Sequence, residues 1–379
     1  MRSIAAKKVF LGNGDSRHNC SIDITADGTI ISLRDGFQEG QELYDAVCPG
    51  LINAHCHTEL SHLKGLIPEG TGLPGFIHEV QQIRTQEPGV QEAAQVAALQ
   101  ELEASGVVGL GDICNSALNL QEKSSSGIKT FNFIELFGFS PLMANGIFES
   151  GLEKLKSFRD AGLEANIVPH APYSVSLDLL QKIQQASSGL LSIHMQECAA
   201  EDELFIYKTG KLKEQLERFG IDLSTWENPG VSSLQTFLPY LSQQKFILVH
   251  TTQSSAADIA QAAKHTGAYF CTCPRANLYI EQQLPDYNQL LKQGAKMLIG
   301  TDSLASNHSL SIWEEMEAIA EHFPKLGLAQ LLSWACQNGS EAFNWTDLGE
   351  LKAGKRPGIL ALKANSNKAL GYTLEKRII

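Results

Sequence analysis

Pro49-Gly50-Leu51-Ile52-Asn53-Ala54-His55-Cys56-His57 is an apolar run that ends in two histidines one residue apart. In a strand, side chains alternate between faces, so positions two apart point the same way. His55 and His57 then project together from one strand end. Two imidazoles held in this way form half of a transition-metal site. The same spacing also occurs on solvated strands and loops, so the rest of the chain decides.

Working outward, eight apolar, β-rich runs recur: 48–55, 107–113, 130–137, 164–170, 190–197, 245–250, 268–273 and 296–302. Helix-like stretches lie between them, among them 91–104, 152–161, 176–186 and 256–265. Strands alternating with helices imply parallel βαβ units. Eight units predict a closed (β/α)8 TIM-like barrel rather than an open sheet. The chain ends read differently. Residues 1–47 hold short alternating runs with turn signals at Gly12-Asn13-Gly14 and Asp27-Gly28. Residues 349–379 hold Gly354 and Pro357-Gly358 before a further short strand. Neither end is long enough for a good sandwich alone. The expected organisation is therefore a barrel over 48–348 and a small β-sandwich-like domain built from 1–47 plus 349–379.

At 379 residues with 43% hydrophobic and 19% charged side chains, the chain is an ordinary globular protein. Its net charge of -12 argues against nucleic acid or an anionic membrane as a partner. The first residues lack the apolar core of a signal peptide, and no run is long and apolar enough to span a bilayer. Eight cysteines scattered over this length do not make a disulfide framework. A cytoplasmic location is the expectation. Cys271 and Cys273 lie in a strand-like run and read as core rather than as ligands.

Active-site residues of such barrels sit at the C-terminal ends of strands. Here strand one ends in His55 and His57, and strand four in His170-Ala171-Pro172-Tyr173. Strand five ends in His194-Met195-Gln196-Glu197, strand six in His250, and strand eight in Gly300-Thr301-Asp302. Each has a plain structural reading. His170, His194 and His250 are also fit to be hydrogen-bonded core or strand-end residues, and Glu197 and Asp302 to cap helices. One metal site explains them together. His308 lies near Asp302 and invites a secondary role. The remaining histidines read as structural.

These stretches resemble the amidohydrolase superfamily, in the mononuclear branch that includes cytosine, guanine and adenosine-type deaminases. The resemblance runs from Pro49–His57 to Gly349-Glu350-Leu351-Lys352-Ala353-Gly354-Lys355 and so covers nearly the whole chain. It implies that His55, His57, His194 and Asp302 hold one divalent metal per chain, with zinc first and iron or manganese as alternatives. It implies that Glu197, His250 and Asp302 are the catalytic groups and that His170 contacts substrate. Binuclear relatives carry a bridging lysine on strand four, and residues 164–170 contain none, which favours one metal. The implied reaction is hydrolytic deamination of an amino-heterocycle or nucleoside, with release of ammonia.

Thr58-Glu59-Leu60-Ser61 is similar to deaminases acting on aminodeoxyfutalosine, a 6-amino purine nucleoside, which is the leading substrate expectation. S-adenosylhomocysteine or methylthioadenosine comes next, followed by guanine, pterin and triazine aminohydrolases, chlorohydrolases, and a catalytically inactive relative. Glu59 and Ser61 either contact substrate or hold the first loop. Arg275 either meets a substrate carboxylate or forms a surface ion pair. The 72–77 segment is a candidate cover for an aromatic ring, and Phe137, Phe139 and Tyr173 are candidates for stacking. The sequence is silent on oligomeric state; dimers are common among similar enzymes, which leaves a homodimer open.

Overall fold

The strand and helix patterns close into a barrel with a sheet against its side. The computed structural model describes residues 2–85, 89–187, 189–224 and 226–379. The chain begins with β1 (Arg2–Phe10), β2 (Ser16–Ile24), β3 (Ile30–Asp35) and β4 (Glu42–Pro49). The barrel strands follow: β5 (Leu51–Cys56), β6 (Val107–Cys114), β7 (Lys129–Leu136), β8 (Glu164–Pro169), β9 (Leu191–Met195), β10 (Phe246–His250), β11 (Ala268–Thr272) and β12 (Met297–Ile299). The chain closes with β13 (Ile359–Ala364) and β14 (Tyr372–Arg377).

The eight central strands fall into two parallel four-stranded sheets, β5-β6-β7-β8 and β9-β10-β11-β12. Two seams join them. At one, the His194 amide donates to the His170 carbonyl at 2.9 Å. At the other, the Thr301 amide donates to the His55 carbonyl at 3.0 Å, and Cys56 bridges Asp302. Helices cover the outside, so both faces of each strand are buried and the strands read as continuous apolar runs. That is why all eight are visible in the sequence.

Both chain ends build one six-stranded mixed sheet, in the order β14-β13-β4-β1-β2-β3. Alternation along its strands divides the work of its two faces. Val47, Ile359 and Ala361 face a separate core with Ile4, Ile22 and Ile30. Ala46, Cys48, Leu360 and Leu362 face the barrel core instead. The sheet is thus glued to the barrel through alternate residues of β4 and β13.

Two boundaries differ from expectation. The first barrel strand starts at Leu51, not at residue 48, because Cys48 and Pro49 end β4 and pair with Leu360 and Ile359. The chain changes sheets at Gly50, where a β-carbon would lie 2.3 Å from Val108 Cγ1. Apolar residues on both sides of Gly50 hide this break. The helix expected over 152–161 runs from Ala144 to Asp160; Asn145 and Gly146, poor helix formers, disguise its first turns.

Strand β6 lacks side chains where the barrel is tightest. A β-carbon on Gly111 would lie 2.6 Å from the Ala54 carbonyl oxygen and 2.7 Å from Phe343 Cζ. Phe343 is itself stacked on Trp345 with ring centroids 4.4 Å apart. Gly111→Ala is therefore expected to cost about 1–3 kcal/mol, the usual penalty of overpacking. Denaturant unfolding checks this, and an unchanged midpoint would show that the rings yield freely.

Candidate active site

Strand β5 and the residues just after it carry His55 and His57, β9 carries His194, and Asp302 follows β12. One ligand atom from each lies within 4.8 Å of all the others, and all four residues are buried. His57 Nε2 sits 3.1 Å from His55 Nε2 and 3.2 Å from His194 Nε2. Asp302 Oδ1 is 3.4 Å from His57 Nε2 and 3.7 Å from His55 Nε2. His194 Nδ1 donates to the His170 carbonyl at 2.9 Å, which leaves its Nε2 lone pair facing the cluster.

This arrangement fits a metal on its own terms. Burial pushes His57 down to about 4 and lowers His55 and His194, so the rings are neutral at pH 7. Neutral nitrogens with converging lone pairs repel unless a cation sits among them. Burial alone would raise the Asp302 carboxyl, but the neighbouring His55, His57 and His250 imidazoles hold it well below the usual range. Three imidazole nitrogens and one carboxylate form a binding group for a divalent metal.

The backbone is bent to place these groups. Asp302 has φ of 57°, and Gln196, His250 and Thr251 also lie in the left-handed region at 46°, 71° and 49°. Such conformations are costly outside glycine and concentrate at functional sites. They turn the chain at the ends of β9, β10 and β12, just where Glu197, His250 and Asp302 enter the cavity. The Ser306 hydroxyl fixes the second oxygen of Asp302.

Beside this cluster, Glu197 is buried, with Oε1 3.6 Å from His250 Nε2. Desolvation, then the charges of Asp302 and Glu281, raise the Glu197 carboxyl well above its ordinary value. The shift is toward the protonated form of this carboxyl. His250 donates from Nδ1 to Asn277 Oδ1 at 2.7 Å, while the Asn277 amide donates to Thr252 Oγ1 at 3.1 Å. That chain fixes the tautomer and leaves His250 Nε2 as an acceptor facing the site. His170 is oriented by Ser174 Oγ, 2.6 Å from its Nδ1, and burial pushes it down to about 4.

A cavity of ≈ 420 Å³ opens over the cluster, within the range of about 300–1,000 Å³ typical of small-molecule sites. His57, His170, His194, Glu197, His250 and Asp302 form its floor. Phe137, Phe139 and Tyr173 line it as expected, and Leu73, Phe76 and Ile77 bring in the 72–77 segment as the start of a helix, Gly72–Ile83.

Three expected substrate contacts fall elsewhere. The Glu59 carboxylate accepts from the amides of Asn115 and Ser116, both at 3.1 Å, and from Ser116 Oγ at 2.8 Å. It holds the loop after β6 and is not part of the cavity wall. Ser61 is buried in the short turn Thr58–Leu63, also outside the wall. Arg275 pairs with Glu314 and donates to Ser309 Oγ at 2.8 Å, so its charge is spent outside. His308 is largely exposed and pairs with Glu69 at 3.1 Å. Glu59, Ser61 and His308 lie close to a candidate ligand in sequence, but the local turns carry their side chains away; Arg275 lies in the first turn of helix Pro274–Glu281.

Two cavity residues escape the sequence reading. Glu135 near the end of β7 is buried, 3.6 Å from His194 Nδ1, and accepts from Asn115 Nδ2 at 3.0 Å. A lone carboxylate near the end of an apolar strand was its available signal, the same one that marks Glu197. Arg84, just past the Gly72–Ile83 helix, also lines the cavity; nothing in its local sequence marks it.

A barrel rim carrying a buried metal group and a proton donor defines a metal-dependent hydrolase. The chain belongs to the amidohydrolase family, whose model matches residues 46–379. A Helicobacter pylori protein named adenosine deaminase is 28% identical over 87% of this chain and 81% of its own length. An aminodeoxyfutalosine deaminase from a Nitratiruptor species is 24% identical over 81% of this chain and 76% of its own. In fold, the chain is similar to a crystal structure of Helicobacter pylori aminofutalosine deaminase in complex with methylthio-coformycin. That match has a TM-score of 0.83 at 23% identity and covers 100% of both chains.

Proposed function

We propose that this chain is a zinc-dependent deaminase that converts an amino-purine nucleoside to the oxo form and releases ammonia, with aminodeoxyfutalosine as the first candidate substrate. The observation that carries this reading is the buried Glu197, 3.6 Å from His250 Nε2 and beside the four-residue metal group. An acid so placed suits deamination, in which an aminated ring gains a proton on nitrogen and its adjacent carbon then accepts a nucleophile. The deaminases similar in sequence and fold support the same reading.

A divalent metal held by His55, His57, His194 and Asp302 supplies Lewis-acid activation of the hydrolytic water. The residues do the rest. Glu197 gives its proton to a ring nitrogen and makes the adjacent carbon electrophilic. Asp302, held anionic by its surroundings, accepts a proton from the water, and His250 Nε2 orients that water from the other side. Oxygen bonds to the carbon, Asp302 passes its proton to the amine, the C–N bond breaks and ammonia leaves, while the added hydroxyl gives its proton back to Glu197 and becomes the oxo group. His170 and Tyr173 bound the ring. The eight buried free cysteines support a reducing compartment such as the cytoplasm.

The test is ammonia release by zinc-reconstituted protein from adenosine, methylthioadenosine, S-adenosylhomocysteine and aminodeoxyfutalosine. Stoichiometric ammonia from a nucleoside supports the reading; none from any of them overturns it. Chelation is expected to abolish turnover and added zinc to restore it, with metal analysis giving a single ion per chain. Full turnover by protein shown to be metal-free would refute the cofactor assignment.

A further inference from the structure

We infer that Arg84 makes this cavity selective for a purine nucleoside whose side arm ends in a carboxylate; the inference rests on the deaminase reading above. The cavity has two zones. Its floor is polar and carries the metal group and Glu197. Its outer part is walled by apolar side chains, among them Phe76, Val80, Phe139, Met143, Leu216 and Phe219. A nucleoside whose ring reaches Glu197 must direct its arm into that outer part. Arg84 lines the same cavity.

The guanidinium is held in reserve. The Arg84 backbone is pinned on both sides: its amide donates to the Val80 carbonyl at 2.8 Å, and its carbonyl accepts from His62 Nε2 and Gln91 Nε2, both at 3.0 Å. Among the described residues its side chain makes one long bond, 3.4 Å to Asn115 Oδ1. No carboxylate among the described residues lies within ion-pair distance of it, unlike Arg275, which has Glu314. Asn115 is itself held by Glu59 and by Glu135, so its oxygen is a fixed guide for the guanidinium. Half-buried, with no second hydrogen bond to a described residue, in a cavity whose apolar walls are interrupted by Gln81, Ser140, Gln215, Asn115 and Glu135, the guanidinium is suited to a planar anion that takes two of its donors. A carboxylate on an aromatic arm and one on an amino-acid arm both have that chemistry.

The experiment compares three substrates with zinc-loaded protein: aminodeoxyfutalosine (acid on an aromatic arm), S-adenosylhomocysteine (acid on an amino-acid arm) and neutral methylthioadenosine. Wild type is expected to favour one of the acids over methylthioadenosine in kcat/KM. Arg84→Gln is expected to lower kcat/KM for that acid about 10–100-fold, the scale of a lost charged hydrogen bond, and to lower it less for methylthioadenosine. Arg84→Lys should keep part of the preference. Arg275→Gln should leave the acid-to-neutral ratio unchanged. Metal content and unfolding midpoint show that the Arg84 variants are folded. Which acid is favoured identifies the arm. An unchanged acid-to-neutral ratio in Arg84→Gln, or a wild type that prefers methylthioadenosine, overturns the inference and leaves the deaminase reading standing. No ammonia from any of the three overturns the inference, and none from adenosine either overturns the deaminase reading as well.

Discussion

Glu197→Gln is expected to lower kcat by a factor of about 10²–10⁴, the usual contribution of a positioned acid or base, with metal content and fold retained. The substitution keeps the shape and the ability to donate a hydrogen bond, but removes the transferable proton. Glu197 sits 3.6 Å from His250 and is not one of the four metal-binding residues. The metal should therefore stay, and metal analysis separates loss of chemistry from loss of the site. Because burial and nearby negative charge raise the Glu197 carboxyl, its proton is present below that raised pKa and lost above it. The kcat of the wild type should accordingly fall on the alkaline side through this group, and the limb should be absent in the variant. An unchanged kcat would remove Glu197 from the mechanism.

Lys123→Met is expected to destabilise the protein by about 3–5 kcal/mol, the cost of leaving a buried charge unpaired, and to weaken metal binding as well. Lys123 Nζ is 2.6 Å from Asp112 Oδ2, with both side chains wholly buried. Burial alone would lower the lysine pKa, but Asp112, Cys114 and Glu59 together hold it above its ordinary value, so the pair is ionic. Asp112 in turn accepts from the Thr58 amide at 3.0 Å and from Thr58 Oγ1 at 2.7 Å. Gln95 Nε2 donates to the same hydroxyl at 3.0 Å. Thr58 directly follows the ligand His57, so this network sets where that imidazole stands. Denaturant unfolding of metal-free protein measures the first effect and metal titration the second. Adding Asp112→Asn to Lys123→Met should recover part of the stability, because the remaining carboxylate is then neutralised. A single variant as stable as wild type would show that the pair contributes nothing.

Much of this was legible in the sequence, for a physical reason. Barrel strands are buried on both faces, so each is a dense apolar run, and a histidine or carboxylate at its end stands out. His55, His57, His194, Glu197, His250 and Asp302 were all visible in that way, and Glu135 was visible by the same rule but was passed over. Residues whose roles come from distant partners were not. Lys123, in Leu120-Gln121-Glu122-Lys123-Ser124-Ser125, looks like any solvated lysine until its helix is laid over Asp112. Arg84 and Arg275 are indistinguishable as sequence. Only the fold shows that one faces the cavity and the other faces Glu314. Glu59 lies close to the candidate ligands along the chain, and its sequence left substrate contact and loop support both open; the fold shows its bonds to the loop after β6.

The barrel is two four-stranded sheets that meet at two seams, and the candidate ligands come from both sheets. His55 and Asp302 face each other where β12 meets β5, and His194 is tied by its amide and its Nδ1 to His170 where β8 meets β9. No half of the barrel holds the set alone. A cation bound there acts as a clasp across both joins, and its affinity includes the work of shutting them. Parting either seam should therefore release the ion before the chain unfolds. Metal content, measured at rising denaturant, reports the opening of the barrel before any change in helix signal.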